Sequence, residues 1–335
     1  MAGRVKPKAL PEGGTIGVAA ASSPFEQRSE IDRATRWYEE HGYQVRLADG
    51  VYSRDDYVAG DARRRAEDLN ALFADPDVDV IQMLRGGYGA SQVIPYLDFD
   101  AIAANPKALV GYSDVTVLHI AIRQRTGLVT FYGPGFTGMG NAKRGDWSKE
   151  RLLRALTDAE PLGEVPARPD DPYVGAIGTG RATAPLVGGC LWLVRETLAT
   201  PWETDLEGCI LFFEDVHCPP WHVDGMLTQL RAAGKLDRVS GVAIGEMYKC
   251  EEWRQAEPWL RSRSMEDVFE HHLEPLGVPI VHNLPLGHGD HLCTIPLGVT
   301  ATVDADARRL VIQEAALAPA PEAVAAAAAG ARTDP

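Results

Sequence analysis

The sequence predicts an α/β protein in two parts: a doubly wound, mostly parallel sheet, followed by a smaller β-rich domain. Three observations point there. Apolar runs of strand length alternate with amphipathic helical stretches up to "LVTFYG" at residues 128–133. A stretch rich in Pro and Gly, "EVPARPDDPYVGAIGTGRATAPLVGG", then breaks the alternation. Beyond it the apolar runs shorten and end in a hairpin signal. At 335 residues the chain exceeds what one compact core usually holds. The expected division is 1–165 for the α/β domain, 166–185 for a linker, 186–316 for the β-rich domain and 317–335 for an Ala- and Pro-rich tail.

Each element has its own signal. "TIGVAAAS" (15–22) reads as a buried parallel strand. Ser23 and Pro24 follow as candidate N-cap and first helical residue, with Ile31, Ala34, Trp37 and Tyr38 on one helical face and Gly42 as the stop. "YQVRLA" is the next strand. Asp61 is placed to cap the helix "ARRRAEDLNALFA", whose Ala66, Leu69 and Phe73 share a face. "VDVIQMLR" (78–85) is a strand ending in "GGYGA". A short helix, the strand "ALVGYS", a helix from Asp114 and the strand "LVTFYG" complete the unit. In the second part, "CILFFED" (209–215), "GVAIGEM" (241–247) and "PIVHNLPL" (279–286) are strands, and "TATVDADARRLVIQE" is a hairpin. "VDGMLTQLRAAG" and "SMEDVFEHHLEPLG" are helices.

Composition removes several function classes. The net charge is −14 and no Lys or Arg run offsets it, so neither nucleic acid nor anionic membrane is an expected partner. The five cysteines are odd in number and form no CxxC pair, which points to a reducing compartment rather than a disulfide framework or zinc knuckle. The N-terminal residues lack the apolar core of a secretory signal, and no apolar run approaches the ~20 residues of a membrane span. A cytoplasmic location is expected.

Ligands of doubly wound sheets gather beyond the carboxyl ends of the strands, and two motifs stand there. The first is Ser113 in "KALVGYSDVTVLH", between a strand and a helix. A serine so placed is either an N-cap or an exposed nucleophile, and Asp114 could cap equally well. A nucleophile there would turn its tetrahedral intermediate toward backbone amides: Asp114 N–H on one side, Gly86 or Gly87 of "RGGYGA" on the other. The elbow G-x-S-x-G shares this logic, although Gly111-Tyr112-Ser113-Asp114-Val115 lacks the second glycine. Arg85, at the start of the glycine loop, either meets a substrate carboxylate or closes the strand end with a salt bridge. Tyr88 and Trp192 are further candidates for substrate contact. The loop carries no nucleotide fingerprint.

A serine nucleophile needs a base, and the base needs an orienting acid. Of the nine histidines, His271 and His272 read as solvated, His41 as a helix-end residue and His119 as packing. His288, between Gly287 and Gly289 in "LPLGHGDHLCTIPLG", is either the base or an ordinary loop histidine. Glu214 ends the apolar strand "ILFFEDV", where a carboxylate needs a partner; Asp215 competes from the opposite face. A metal set drawn from His217, His222, His288 and His291 matches no ligand spacing, so no metal or cofactor is expected.

Taken in order, "GGTIGVAAASSP", "RGGYGA", "LVGYSDVTVLH", "PLVGGCLWLV", "LATPWETDLEGCILFFEDV", "MLTQLRAAGKLDRVSGVAIGE" and "LPLGHGDHLCTIPLG" resemble the LD-carboxypeptidase family of serine peptidases. That family includes murein tetrapeptide carboxypeptidases and microcin C self-immunity peptidases. The resemblance covers roughly residues 10–316. It implies a Ser113–His288–Glu214 triad, a flavodoxin-like first domain, a swivelling barrel-like second domain, no metal and a homodimer. The implied reaction is hydrolysis of the amide between an L-centre and a C-terminal D-amino acid, in cytoplasmic recycling of cell-wall peptides. A microcin C-like hydrolase of peptidyl or aminoacyl nucleotides, giving self-immunity, is the second expectation, and a non-catalytic two-domain binder of small ligands the third. Two departures bear on substrate choice: Cys190 stands where the family often has Asn, and Gly225 lies near a usual Arg position. Trp192, Trp202 and Trp221 either offer aromatic surface to a nucleotide-like substrate or are core residues.

Overall fold

The computed structural model describes residues 3–141, 145–251 and 263–318. Five strands of the first half form a parallel sheet: β1 (Thr15–Ala19), β2 (Gln44–Leu47), β3 (Val80–Met83), β4 (Ala108–Gly111) and β5 (Thr130–Tyr132), in the order β5-β4-β3-β1-β2. Every residue of β1, β3, β4 and β5 is buried, as continuous apolar runs in a sheet covered on both faces require. Helices Arg28–Glu40, Ala62–Ala74 and Thr116–Thr126 are the longer connections between these strands. The Asp61 side chain accepts from the amides of Arg63 and Arg64, the cap expected from the sequence.

The start of the first helix differs. The first helix starts at Arg28, not Pro24. The Ser23 hydroxyl is spent elsewhere: it accepts from Tyr88 N at 3.1 Å and donates to Tyr57 O at 2.8 Å. A side chain tying two loops together cannot also cap a helix.

The second sheet contains β6 (Gly163–Glu164), β7 (Gly175–Ile177), β8 (Arg181–Cys190), β9 (Ile210–Val216), β10 (Gly241–Tyr248), β11 (Ile280–His282), β13 (Thr300–Asp304) and β14 (Arg309–Ile312). Its order is β6-β14-β13-β8-β9-β10-β11-β7, parallel from β8 through β11 and antiparallel outside. Both expected helices are present, Pro220–Ala232 and Met265–Leu273, the second with a Ser264–Asp267 capping box. His272 corrects the expectation of a solvated pair. It lies on the inner face of that helix, buried, and bonds Asp224 Oδ1 at 2.6 Å.

The sheets do not follow the linear division of the sequence. β7 and the start of β8 fall within 166–185. The remaining strand, β12 (Ile295–Leu297), returns to the first sheet and pairs antiparallel with β5, Ile295 opposite Tyr132. One apolar cluster therefore runs between the sheets, joining Phe131 and Tyr132 to Phe212, Leu286 and Ile295. The tail from residue 319 lies outside the described residues. All five cysteines are free and buried. Among the described residues, no helix is long and apolar enough to cross a membrane.

Candidate active site

The end of β4 delivers the chain into Ser113 with φ of +62°, a left-handed conformation that a non-glycine residue adopts only when its surroundings hold it there. Neither Ser113 nor Asp114 caps the helix that follows. Asp114 turns its buried carboxylate to the amide of Ala90, 2.8 Å away, and burial pushes its pKa up. The start of this helix is thereby tied to the end of the "RGGYGA" loop. The loop approaches so closely that a Cβ on Gly86 would stand 2.7 Å from Ser113 Cβ. Only glycine permits the backbone to lie against the serine in this way.

β9 brings Glu214 to the same place from the second sheet. Its side chain is fully buried, and its Oε2 accepts from His288 Nδ1–H at 2.7 Å. A carboxylate at that depth needs such partners. Its other oxygen, Oε1, accepts from the Tyr132 hydroxyl at 2.6 Å. Asp215 faces the other way, as strand alternation dictates. It accepts from Trp192 N at 3.0 Å and Val216 N at 2.8 Å, and burial, with the charge of Glu214 behind it, raises its pKa to about 6.

Ser113 and His288 line one cavity of about 290 Å³ with Arg85, Gly86, Gly87 and Tyr112. The Tyr112 ring lies 5.0 Å from the imidazole. Arg85 borders the cavity and pairs with Glu26 at 2.5 Å, the salt bridge among its two expectations. Tyr88 and Trp192 are not in the lining. Tyr88 is exposed and packs edge-on against Tyr57 at 5.5 Å. Trp192 is held on its own helix by Glu196, 2.6 Å from its indole nitrogen, with Arg195 over the ring. Trp202 and Trp221 are likewise outside the lining, Trp202 packed against the core.

Other nucleophiles and bases fall away on environment. Burial first, then Asp215, keeps the Cys190 thiol protonated, and its amide donates to Thr116 Oγ1 at 3.0 Å. His119 is buried, bonds the Gly111 carbonyl and has its pKa pushed down to about 4. Among the described residues, no group of three or more His, Cys, Asp or Glu is arranged to hold a metal ion.

With this geometry in view, comparison with known proteins is decisive. The model of the LD-carboxypeptidase N-terminal domain matches residues 16–133, and that of the C-terminal domain matches residues 183–303. The chain belongs to the LD-carboxypeptidase family. It is 34% identical over 309 residues to a Bacillus subtilis protein named "Probable murein peptide carboxypeptidase", covering 92% of this chain and 94% of that one. The murein tetrapeptide carboxypeptidase of Pseudomonas aeruginosa is 30% identical over 305 residues, 89% of this chain and 96% of its own. Among solved structures, the microcin C7 self-immunity protein MccF, an inactive mutant in the apo state, superposes with a TM-score of 0.84 at 26% identity, covering 93% of this chain and 99% of that one. This member of the LD-carboxypeptidase family is a peptidase with the two-domain fold expected from its sequence.

Sequence reasoning missed Tyr132 and Tyr112. Both close apolar strands, and the only signal available was a hydroxyl-bearing aromatic at a carboxyl end where Phe would have served the core.

Proposed function

We propose that this peptidase cleaves the amide between an L-centre and a C-terminal D-amino acid in cell-wall peptides, through Ser113, His288 and Glu214. The observation that carries this reading is the bond from His288 to the buried Glu214 carboxylate, at the cavity that also holds Ser113. With Nδ1–H committed to Glu214, the imidazole presents Nε2 to the serine. Ser113 Oγ attacks the scissile carbonyl while Nε2 takes its proton, and Glu214 stabilises the imidazolium. The Ser113 amide donates to Tyr132 Oη at 3.2 Å, so it is not the oxyanion donor. That role goes to Asp114 N–H with Gly86 or Gly87 N–H, each contributing a few kcal/mol of barrier reduction. His288 then protonates the departing amine, and water releases the acyl group. Arg85 is suited to the substrate carboxylate once it exchanges Glu26 for it.

The murein names of the two bacterial relatives support this substrate class. The likeness to MccF favours the peptidyl-nucleotide alternative, but none of Trp192, Trp202 and Trp221 lines the cavity to stack on a base. Mass spectrometry of products from L,D-tetrapeptides and aminoacyl nucleotides separates the two. Release of a C-terminal D-amino acid is expected. Cleavage of the nucleotides alone would replace the murein reading.

The enzyme works in the cytoplasm as a homodimer on this reading, and five free thiols suit a reducing compartment. Light scattering should give twice the 36.3 kDa chain mass; a monomer at all working concentrations contradicts the dimer.

A further inference from the structure

We infer that Tyr132 is a positioning residue of the catalytic relay, holding Glu214 aligned while it fixes the backbone of the nucleophile. The inference rests on the roles proposed for Ser113, His288 and Glu214. Tyr132 ends β5 in the first sheet, Glu214 lies on β9 in the second, and the phenol is the bridge between them. Its ring is fully buried, edge-on to Phe212 at 5.1 Å and to Tyr112 at 6.3 Å. Packing thus fixes where the hydroxyl points.

The hydroxyl has one donor and one acceptor task. It donates to Glu214 Oε1 at 2.6 Å and accepts from Ser113 N–H at 3.2 Å. Glu214 gives its remaining oxygen to His288 Nδ1–H at 2.7 Å. A continuous chain of hydrogen bonds therefore runs from the backbone of residue 113, through the phenol and the carboxylate, to the imidazole bordering the cavity. Each Glu214 oxygen is matched by one donor, which is what a carboxyl group with no solvent exposure requires. Burial, then the nearby Glu214 charge, holds the phenol well above its ordinary range, so it remains a donor. A Phe would fill the same volume and supply none of this.

The test is Tyr132→Phe, which keeps the ring. Without the phenol, a carboxylate relieved of one donor holds the imidazole proton of His288 more strongly. This moves the acid limb of the kcat/KM–pH profile upward. The expected shift is about one pH unit, with kcat reduced roughly 10- to 100-fold and KM within about twofold. The low-field proton resonance of His288 Nδ1–H should move as well. Rates are normalised to active sites counted with a serine-directed phosphonate. A purely structural tyrosine would lower the melting temperature and the active fraction while leaving limb and resonance in place. If normalised kcat and the acid limb coincide with wild type, the inference is overturned.

Replacing Tyr132 by 3-fluorotyrosine covers the case of a Phe variant that fails to fold. Its more acidic phenol is a stronger donor, so the acid limb should move down; an unmoved limb also overturns the inference. Loss of activity in Ser113→Ala beside an unaffected Tyr132→Phe removes only this role. Retained activity in Ser113→Ala removes the reading beneath it.

Discussion

Ser113→Ala is expected to lower kcat by roughly 10⁴- to 10⁶-fold, because the step that uses the hydroxyl has no substitute in the cavity. Cys190 and the other thiols are buried, and Thr137, whose hydroxyl also borders the cavity, is committed to the Leu84 carbonyl at 3.2 Å. The fold should be nearly unchanged. The Ser113 side chain caps no helix, and its amide keeps its bond to Tyr132 in the variant. A melting temperature within a few degrees of wild type, together with loss of turnover, is the combination to look for. A serine-reactive phosphonate should label the wild type at one residue per chain and the variant not at all. Specific binding of an L,D-peptide without labelling or hydrolysis would instead identify a binding protein. Wild-type turnover in Ser113→Ala would end the serine mechanism.

Gly287→Ala should be nearly as damaging, for a reason that has nothing to do with the nucleophile. Gly287 has φ of +115°, and a Cβ there would lie 2.2 Å from Glu214 Oε2, the oxygen that holds His288. It would also come within 2.6 Å of Glu214 Cδ and Cγ. The clash can be relieved only by moving the carboxylate or the loop that carries the imidazole. The expected outcome is a loss of about 10²- to 10³-fold in kcat/KM, since displacements near 1 Å at a reacting centre have that effect. Backbone strain should cost about 1–3 kcal/mol of stability in addition. Gly277→Ala separates the two contributions. Gly277 is also left-handed, φ +64°, but nothing lies within 4 Å of its added Cβ. It should lose stability and keep its activity. Equal kinetics in the two variants would mean that the Glu214–His288 geometry does not limit the reaction.

The parts of the site legible in sequence were those with a local cost. Glu214 stood out because a charge at the end of "ILFFE" is expensive without a partner, and His288 because glycines flank it on both sides. Strand alternation then put Glu214 toward His288 and Asp215 toward the Trp192 amide. Features whose cause lies far away in the chain were not legible. The bond from Ser23 to the loop at Tyr57 and Tyr88 displaces a helix start that looked secure locally. Burial of His272 depends on which face of its helix meets Asp224. Trp192 looked available to a substrate because aromatic content carries no direction; a glutamate four residues on decides where the indole lies. Tyr132 was invisible for the same reason, since a core aromatic and a bridging phenol occupy the same position in an apolar run.

The return of β12 to the first sheet governs how the protein can be made. Until Ile295–Leu297 leaves the ribosome, β5 has an open edge, although every residue that lines the cavity, His288 included, precedes that strand. A product truncated before that strand therefore keeps every residue of the cavity and yet offers an unpaired edge of β5 to its neighbours.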